Sequence, residues 1–320
     1  MKCTIVLTLV YYAIMASAAK TILLSNDDGW ASTYIRAAYR DLKDAGYNVI
    51  LVAPVSQRSG YGGKFDVPTS KTLETEGEFS YVKKGAPSWD HEKDDQNIWY
   101  FNGTPASCIS FALDYLLPEK FDNVTPDLVV AGPNEGPNLS PGFYTASGTM
   151  GAVYNAIYRG IPAISFSGSD FNNSFFKDSL DDSKSNPANI YSKKVVELTK
   201  KVIDGGMPAI TGINVNFPKV GTLLGKDDPS CDDPKWQFGR MMGKGVFVQN
   251  MKYNSDSGLM EWGTKYFDNI SKDCDSGDCG LTAEYDIYLK NNCSTSVSVF
   301  TVDYDTTLST SNTVKKLLGF

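Results

Sequence analysis

TILLSNDDGW, residues 21–30, is an apolar run that ends on two adjacent acids, Asp27 and Asp28. The run reads as a buried strand. In an open parallel sheet such a strand feeds a tight turn and then a helix, and that turn commonly binds an anion. Here the turn carries two negative charges of its own. An anionic ligand would be repelled unless a cation stood between, so the stretch predicts a hard metal ion held on acids at a strand end.

Outward from this stretch, strand-like and helix-like segments alternate as far as Pro218. ASTYIRAAYRDLKDAG reads as an amphipathic helix stopped by Gly46. YNVILVAP is nearly continuous in its apolar character, as a parallel strand covered on both faces must be. NIWYFNG, PDLVVAG, IPAISFSG and ITGINVNFP read as further strands, the last closing the series. TPASCISFALDYLLP, SGTMGAVYNAIYRG and SNPANIYSKKVVELTKKVIDGG read as helices. EFSYVKKG, in the polar stretch after the second strand, suggests a hairpin. The alternation predicts a doubly wound α/β domain over residues 20–220 with a mostly parallel sheet. Residues 221–320 are rich in Gly, Asp and Ser, with β-like runs VFVQNMKY and VSVFTVDY. They read as a smaller β-rich appendage that carries disulfides and homodimer contacts.

The 320-residue chain has 30 basic and 37 acidic residues, a net charge of -7. That balance argues against a nucleic-acid polymer as partner, because such binding needs a basic footprint. The opening, MKCTIVLTLVYYAIMASAAK, has Lys2, an apolar stretch from Cys3 to Met15, and the small residues Ala16, Ser17 and Ala18. This is a signal-peptide pattern over residues 1–19, with cleavage near Ala18-Ala19. The apolar stretch falls short of the ~20 residues of a spanning helix, so the expected product is secreted and free of the membrane. Cys231, Cys274, Cys279 and Cys293 crowd the last third, as disulfides of an oxidising compartment do. Three pairings are open to them. Cys108, on a helix, reads as a buried free thiol. Six sequons, at Asn102, Asn123, Asn138, Asn172, Asn269 and Asn292, suit glycosylation. Asn102 and Asn138 fall inside site motifs and are expected to stay unmodified.

Elimination narrows the chemistry. The chain has one histidine, His91, in the charged stretch SWDHEKDDQN, where it reads as a solvated loop residue. No GxSxG elbow presents a nucleophilic serine, and neither GxxxxGK[ST] nor GxGxxG occurs at the first turn. The strand ends speak instead. The first ends in Asn26-Asp27-Asp28-Gly29, the second runs into Gln57-Arg58-Ser59-Gly60, and PDLVVAG runs into Pro133-Asn134-Glu135-Gly136-Pro137-Asn138. All offer oxygen ligands at one sheet edge, where ligands of open α/β sheets gather. Oxygen-only sites suit Mg²⁺, Mn²⁺ or Ca²⁺. Ser147-Gly148-Thr149 then opens a helix, where hydroxyls and free N–H groups favour an oxyanion.

These stretches resemble the SurE family of metal-dependent phosphatases and nucleotidases. The resemblance rests on ILLSNDDG (22–29), VAPVSQRSG (52–60), GTPASC (103–108), PDLVVAGPNEGPNL (126–139), SGTMGAVYNAIYRGIPAIS (147–165) and INVNFP (213–218). It implies a Rossmann-like core and one divalent cation per subunit on Asp27, Asp28, Ser59 and Asn134, either Mg²⁺ or Mn²⁺, with Ca²⁺ as an alternative occupant. It also implies a phosphate pocket lined by Asn138, Ser147, Gly148 and Thr149, and hydrolysis of phosphate monoesters such as nucleoside 5′- or 3′-monophosphates. Secreted fungal-type relatives are commonly labelled acid phosphatases. The chain departs from the family's pattern at WASTYI after NDDG, at Val55 after Ala53-Pro54, and at Glu135, an added acid beside the metal. Its C-terminal block survives only faintly, around GLTAEYDIYLKNN.

On this reading the cation neutralises a phosphate oxygen and acidifies a water that attacks phosphorus, with a carboxylate of Asp27 or Asp28 as the rival nucleophile. Two other readings compete. One is a secreted protein that binds metal and nucleotide without catalysis, against which the intact ligand set speaks. The other is covalent catalysis by Asp27 as in haloacid-dehalogenase phosphatases, whose paired acids are separated by one residue.

Overall fold

The computed structural model describes residues 19–221, 231–243, 246–267, 277–290, 292–303 and 306–320. The expected signal peptide, up to residue 18, lies outside the described residues, as do Cys274 and Asn269.

The first half alternates as the apolar runs require. β1 (Thr21–Ser25) leads to α1 (Thr33–Asp44) and β2 (Asn48–Pro54). A long excursion returns through β3 (Trp89–His91) and β4 (Ile98–Phe101) to α2 (Pro105–Phe111), which runs on through one π turn into α3 (Leu117–Lys120). β5 (Leu128–Asn134), α4 (Ser140–Tyr144), α5 (Gly148–Tyr158), β6 (Ala163–Ser167), α6 (Phe176–Ser179), α7 (Pro187–Gly205) and β7 (Gly212–Asn216) follow. The strands β4, β2, β1, β5, β6 and β7 are neighbours in that order, and every pair among them is parallel. This order, with two halves wound outward from β1, is that of a Rossmann-like sheet, and its switch point lies between β1 and β5.

Alternation along β1 sorts the core. Ile22 and Leu24 point to one face, where α1 and α7 pack with Ile35, Leu42, Val195 and Leu198. Leu23 points to the other, against Cys108, Ile109, Val153 and Ile157 of α2 and α5. The six parallel strands are thus buried on both faces, which is why β1 and β2 are continuous apolar runs and not alternating ones. Cys108 is buried and free.

Four sequence expectations meet a different structure. EFSYVKKG forms no hairpin; Glu78–Ser80 is a single 3-10 turn whose aromatic rings pack inward, Phe79 on Phe175 and Tyr81 on Trp30. His91 lies in the edge strand β3, its ring against Trp99, and not in a loop. β7 is not the last strand of the sheet. β8 (Lys235–Gly239) and β11 (Ser294–Phe300) extend it beyond β7, β11 antiparallel to β7 and β8 parallel to β11. Residues beyond 221 therefore continue the main sheet, because Val297, Val299 and Phe300 have the same apolar faces to bury as the strands before them. Among the described residues, only the antiparallel pair β9 (Val246–Asn254) and β10 (Leu259–Phe267) makes a separate sheet.

α8 (Glu284–Leu289) precedes β11, and α9 (Leu308–Leu318) closes the chain with Val314 and Leu318 buried and Leu317 against Gly205 of α7. Of the three cysteine pairings, the structure holds the one with Cys231 bonded to Cys293, which ties the approach to β8 to the approach to β11.

Candidate active site

The site grows from the turn after β1. Asn26 closes that turn with its own side chain: Nδ2 donates to the Gly29 carbonyl at 3.1 Å and to Ser32 Oγ at 3.0 Å, while Oδ1 accepts from Gly29 N–H at 3.2 Å. Gly29 has φ +103°, a conformation that side chains strain against, so the turn needs glycine here. Locked this way, the turn aims its two acids at different neighbours.

Asp27 reaches the start of α5. Its Oδ2 accepts from Gly148 N–H at 3.0 Å, and its Oδ1 accepts from the Thr149 hydroxyl. Gly148 permits this approach, since a Cβ there would stand 2.7 Å from Asp27 Cβ and 2.9 Å from Pro105 Cγ. The sequence points the Ser147-Gly148-Thr149 donors at an oxyanion; in the structure the anion they hold is the chain's own carboxylate. Ser147 is the N-cap of α5, its Oγ accepting from Met150 N–H at 3.1 Å.

Asp28 turns toward the end of β5, where its Oδ2 accepts from Glu135 N–H at 3.0 Å. Its Oδ1 is buried with no hydrogen-bond partner, and so is Oδ1 of Asn134, whose Nδ2 donates to the Gly136 carbonyl at 2.7 Å. Both orphaned oxygens belong to ends of adjacent strands at the switch point. Buried acceptors without donors are costly, and two of them on neighbouring strands fit a bound cation. Ser59 is exposed, one residue beyond Arg58, whose N–H donates to the Asp27 carbonyl at 2.6 Å. Among the described residues no three His, Cys, Asp or Glu side chains group to hold a metal, so a cation here would rest on two carboxylates completed by neutral oxygens. That set suits a hard ion.

Asn138 is buried, with no room for a glycan. Its N–H donates to Asn216 Oδ1 at 2.7 Å, its Nδ2 to Ser167 Oγ at 2.8 Å, and its carbonyl accepts from Asn214 Nδ2 at 3.0 Å. The sequence assigns no role to Asn214 or Asn216, although INVNFP carries a readable signal: two amides two residues apart share one face of a strand otherwise apolar. Asn173, whose Nδ2 donates to the Asp28 carbonyl at 2.9 Å, sits in a loop and gave no such signal.

Burial raises the pKa of all three acids here. Asp27 is pushed up by burial, with its bonds to Thr149 and Gly148 pulling the other way. Asp28 is driven well above the ordinary carboxylate range by burial first, then by the charges of Asp27 and Glu135. Glu135 rises by burial and by Asp27. The hydrogen bonds to these carboxylates come from backbone N–H groups, the Thr149 hydroxyl and the Gln57 amide, none from a lysine or arginine, so their mutual repulsion also favours a cation.

A family model described as Survival protein SurE matches residues 22–236. The chain belongs to the SurE family. An acid phosphatase of Yarrowia lipolytica is 42% identical over 293 residues, spanning 89% of this chain and 80% of that protein. A 5′-nucleotidase SurE of Bacteroides thetaiotaomicron is 31% identical, over 66% of this chain and 69% of its own length. Among solved structures, the SurE protein from Aquifex aeolicus superposes with a TM-score of 0.59 at 25% identity, covering 93% of this chain and 99% of that one. The SurE match thus takes in β1 through β7 and every strand end that builds the site.

Proposed function

We propose that this SurE protein is a divalent-metal-dependent phosphomonoesterase, an acid phosphatase or nucleotidase acting on nucleoside 5′- or 3′-monophosphates or related esters. The carrying observation is the pair of buried, unpartnered oxygens, Asp28 Oδ1 and Asn134 Oδ1, beside a helix terminus that already holds an anion. The names of its relatives, acid phosphatase and 5′-nucleotidase, support the same reaction class.

In this reading Asp27, Asp28, Asn134 and Ser59 would hold the cation, which when bound supplies Lewis acidity toward the phosphoryl oxygens. The chain supplies the rest. The Gly148 N–H and Thr149 hydroxyl orient Asp27, and Ser147 caps α5 so that its first turn faces the pocket. The same terminus favours the charge that builds on the equatorial oxygens of the transition state. Asn138, fixed by three neighbours, places its amide at the phosphoryl group. Burial of both acids keeps bulk water away from the reacting centre.

We read the protein as exported, from the signal pattern at its start, and as a homodimer. The β9–β10 hairpin supports the second point: Met251 faces Trp262 and Tyr253 faces Met260 across it, all four exposed. Phe143 and Tyr285 pack on Phe247 at the hairpin's base.

The function is tested by a phosphate-release screen of nucleotides and simple esters at pH 5 and pH 7, with Mg²⁺, Mn²⁺ or chelator. Release that needs metal is expected; full release in chelator would sink the reading.

A further inference from the structure

Glu284, the first residue of α8, is completely buried, far from the acids of the site in sequence and unused by the chemistry above. It belongs to the C-terminal block that the sequence shows only faintly. Gly239 makes room for it, since a Cβ at 239 would stand 2.8 Å from the Thr282 carbonyl, and Glu284 N–H donates to the Arg240 carbonyl at 2.8 Å. Its side chain reaches β7, where Oε2 accepts from Asn214 Nδ2 at 3.0 Å. The same Nδ2 donates to the Asn138 carbonyl at 3.0 Å, and Asn214 Oδ1 accepts from the Ser165 hydroxyl at 2.8 Å.

An asparagine amide can sit either way round, and the Ser165 hydroxyl, being donor and acceptor, suits both. Oε2, the carboxyl oxygen directed at Asn214, accepts whether or not Oε1 carries a proton, and so demands the nitrogen. Glu284 therefore selects the orientation that offers N–H to the Asn138 carbonyl; the flipped amide would set oxygen against oxygen there.

We propose that Glu284 is a positioning residue of the phosphoryl pocket, acting through the Asn214 amide to hold Asn138 in place. The inference rests on the role given to Asn138 above. A glutamine can offer the same acceptor to Asn214, whereas alanine removes it and leaves Asn214 free to turn.

The test uses the full mature chain with Mg²⁺ and reads two quantities: the Kd for inorganic phosphate by calorimetry, and KM and kcat on p-nitrophenyl phosphate. Glu284→Ala is expected to raise Kd and KM together, on the order of tenfold, with kcat changed by less than about threefold. Glu284→Gln should stay within about twofold of wild type. Should Glu284→Ala not fold, Asn214→Ala carries the test, with the same rise expected, and the Glu284→Gln/Asn214→Ala double variant should bind no more weakly than Asn214→Ala alone. An active wild type whose alanine variants keep its Kd, or a Glu284→Gln variant as weak as Glu284→Ala, overturns this inference and leaves the hydrolase reading standing. A wild type that binds phosphate, with the shift present in the variants, but hydrolyses no ester overturns the hydrolase reading alone. A wild type that binds no phosphate overturns both.

Discussion

Asp27 caps a helix that starts 121 residues further along the chain: its Oδ2 receives the Gly148 N–H at 3.0 Å. One side chain thereby joins the end of the first strand, the anion-favouring terminus of α5 and the proposed cation site. Asp27→Asn keeps the size and removes the charge. Turnover on p-nitrophenyl phosphate should fall about a hundredfold or more, by analogy with the loss of one preorganised electrostatic partner. The melting temperature should move by only a few degrees, since the same change relieves a buried charge.

Gly148→Ala attacks that contact from the other side. Its Cβ would press within 2.7 Å of Asp27 Cβ, and Pro105 blocks retreat at 2.9 Å. Overpacking of this kind costs about 1–3 kcal/mol. Denaturant unfolding should show that loss, with turnover reduced as well because Asp27 is displaced.

Metal should stabilise as well as activate. At a free concentration about 100 times its Kd, a cation bound only to the native state adds ~2.7 kcal/mol. Mg²⁺ or Mn²⁺ should therefore raise the melting temperature of the chelator-treated protein, and Asp28→Asn should abolish the rise. A rise that survives Asp28→Asn would place the cation elsewhere.

Glu284 ties stability to pH. Burial pushes its carboxyl up to about 8 from an ordinary 4.5, against which Asn214, Ser298 and the Ser140 backbone favour the charged form only in part. Between those two values the folded chain holds a proton that the unfolded chain has released. Stability is therefore intact below 4.5, falls as pH rises through the window and levels off above 8, at roughly 1.4 kcal/mol per unit where the slope is full. Melting temperatures from pH 5 to pH 8 should decline less steeply for Glu284→Gln than for wild type.

The hairpin predicts the assembly. Replacing Met251, Tyr253, Met260 and Trp262 together by serine should shift the sedimenting species from dimer to monomer, with secondary structure retained. An unchanged dimer would move the interface to another face.

What the sequence discloses follows the range of each interaction. Strands buried on both faces declare themselves because every residue from Ile22 to Leu24, or from Val49 to Ala53, must be apolar. Asp27, Asp28 and Asn134 are legible because strand ends can be located and acids there are out of place. The hairpin expected at EFSYVKKG fails because alternating aromatic residues also fit a turn whose rings are recruited by Trp30 and Phe175, far away in sequence. β8 hides in KWQFG, where exposed Lys235 and half-buried Trp236 and Gln237 give no continuous apolar signal. The Asp27–Gly148 contact and the Glu284–Asn214 bond join segments that no local pattern connects.

β11 is the last strand in sequence, yet it lies between β7 and β8. β8 therefore has no neighbour in the sheet until residues 294–300 arrive to bridge the gap. A fragment ending near residue 236 would keep Asp27, Asp28 and Asn134 but leave β7 with a bare, hydrogen-bonding edge open to any passing chain. Completion of this sheet has to wait until residue 300 has been made.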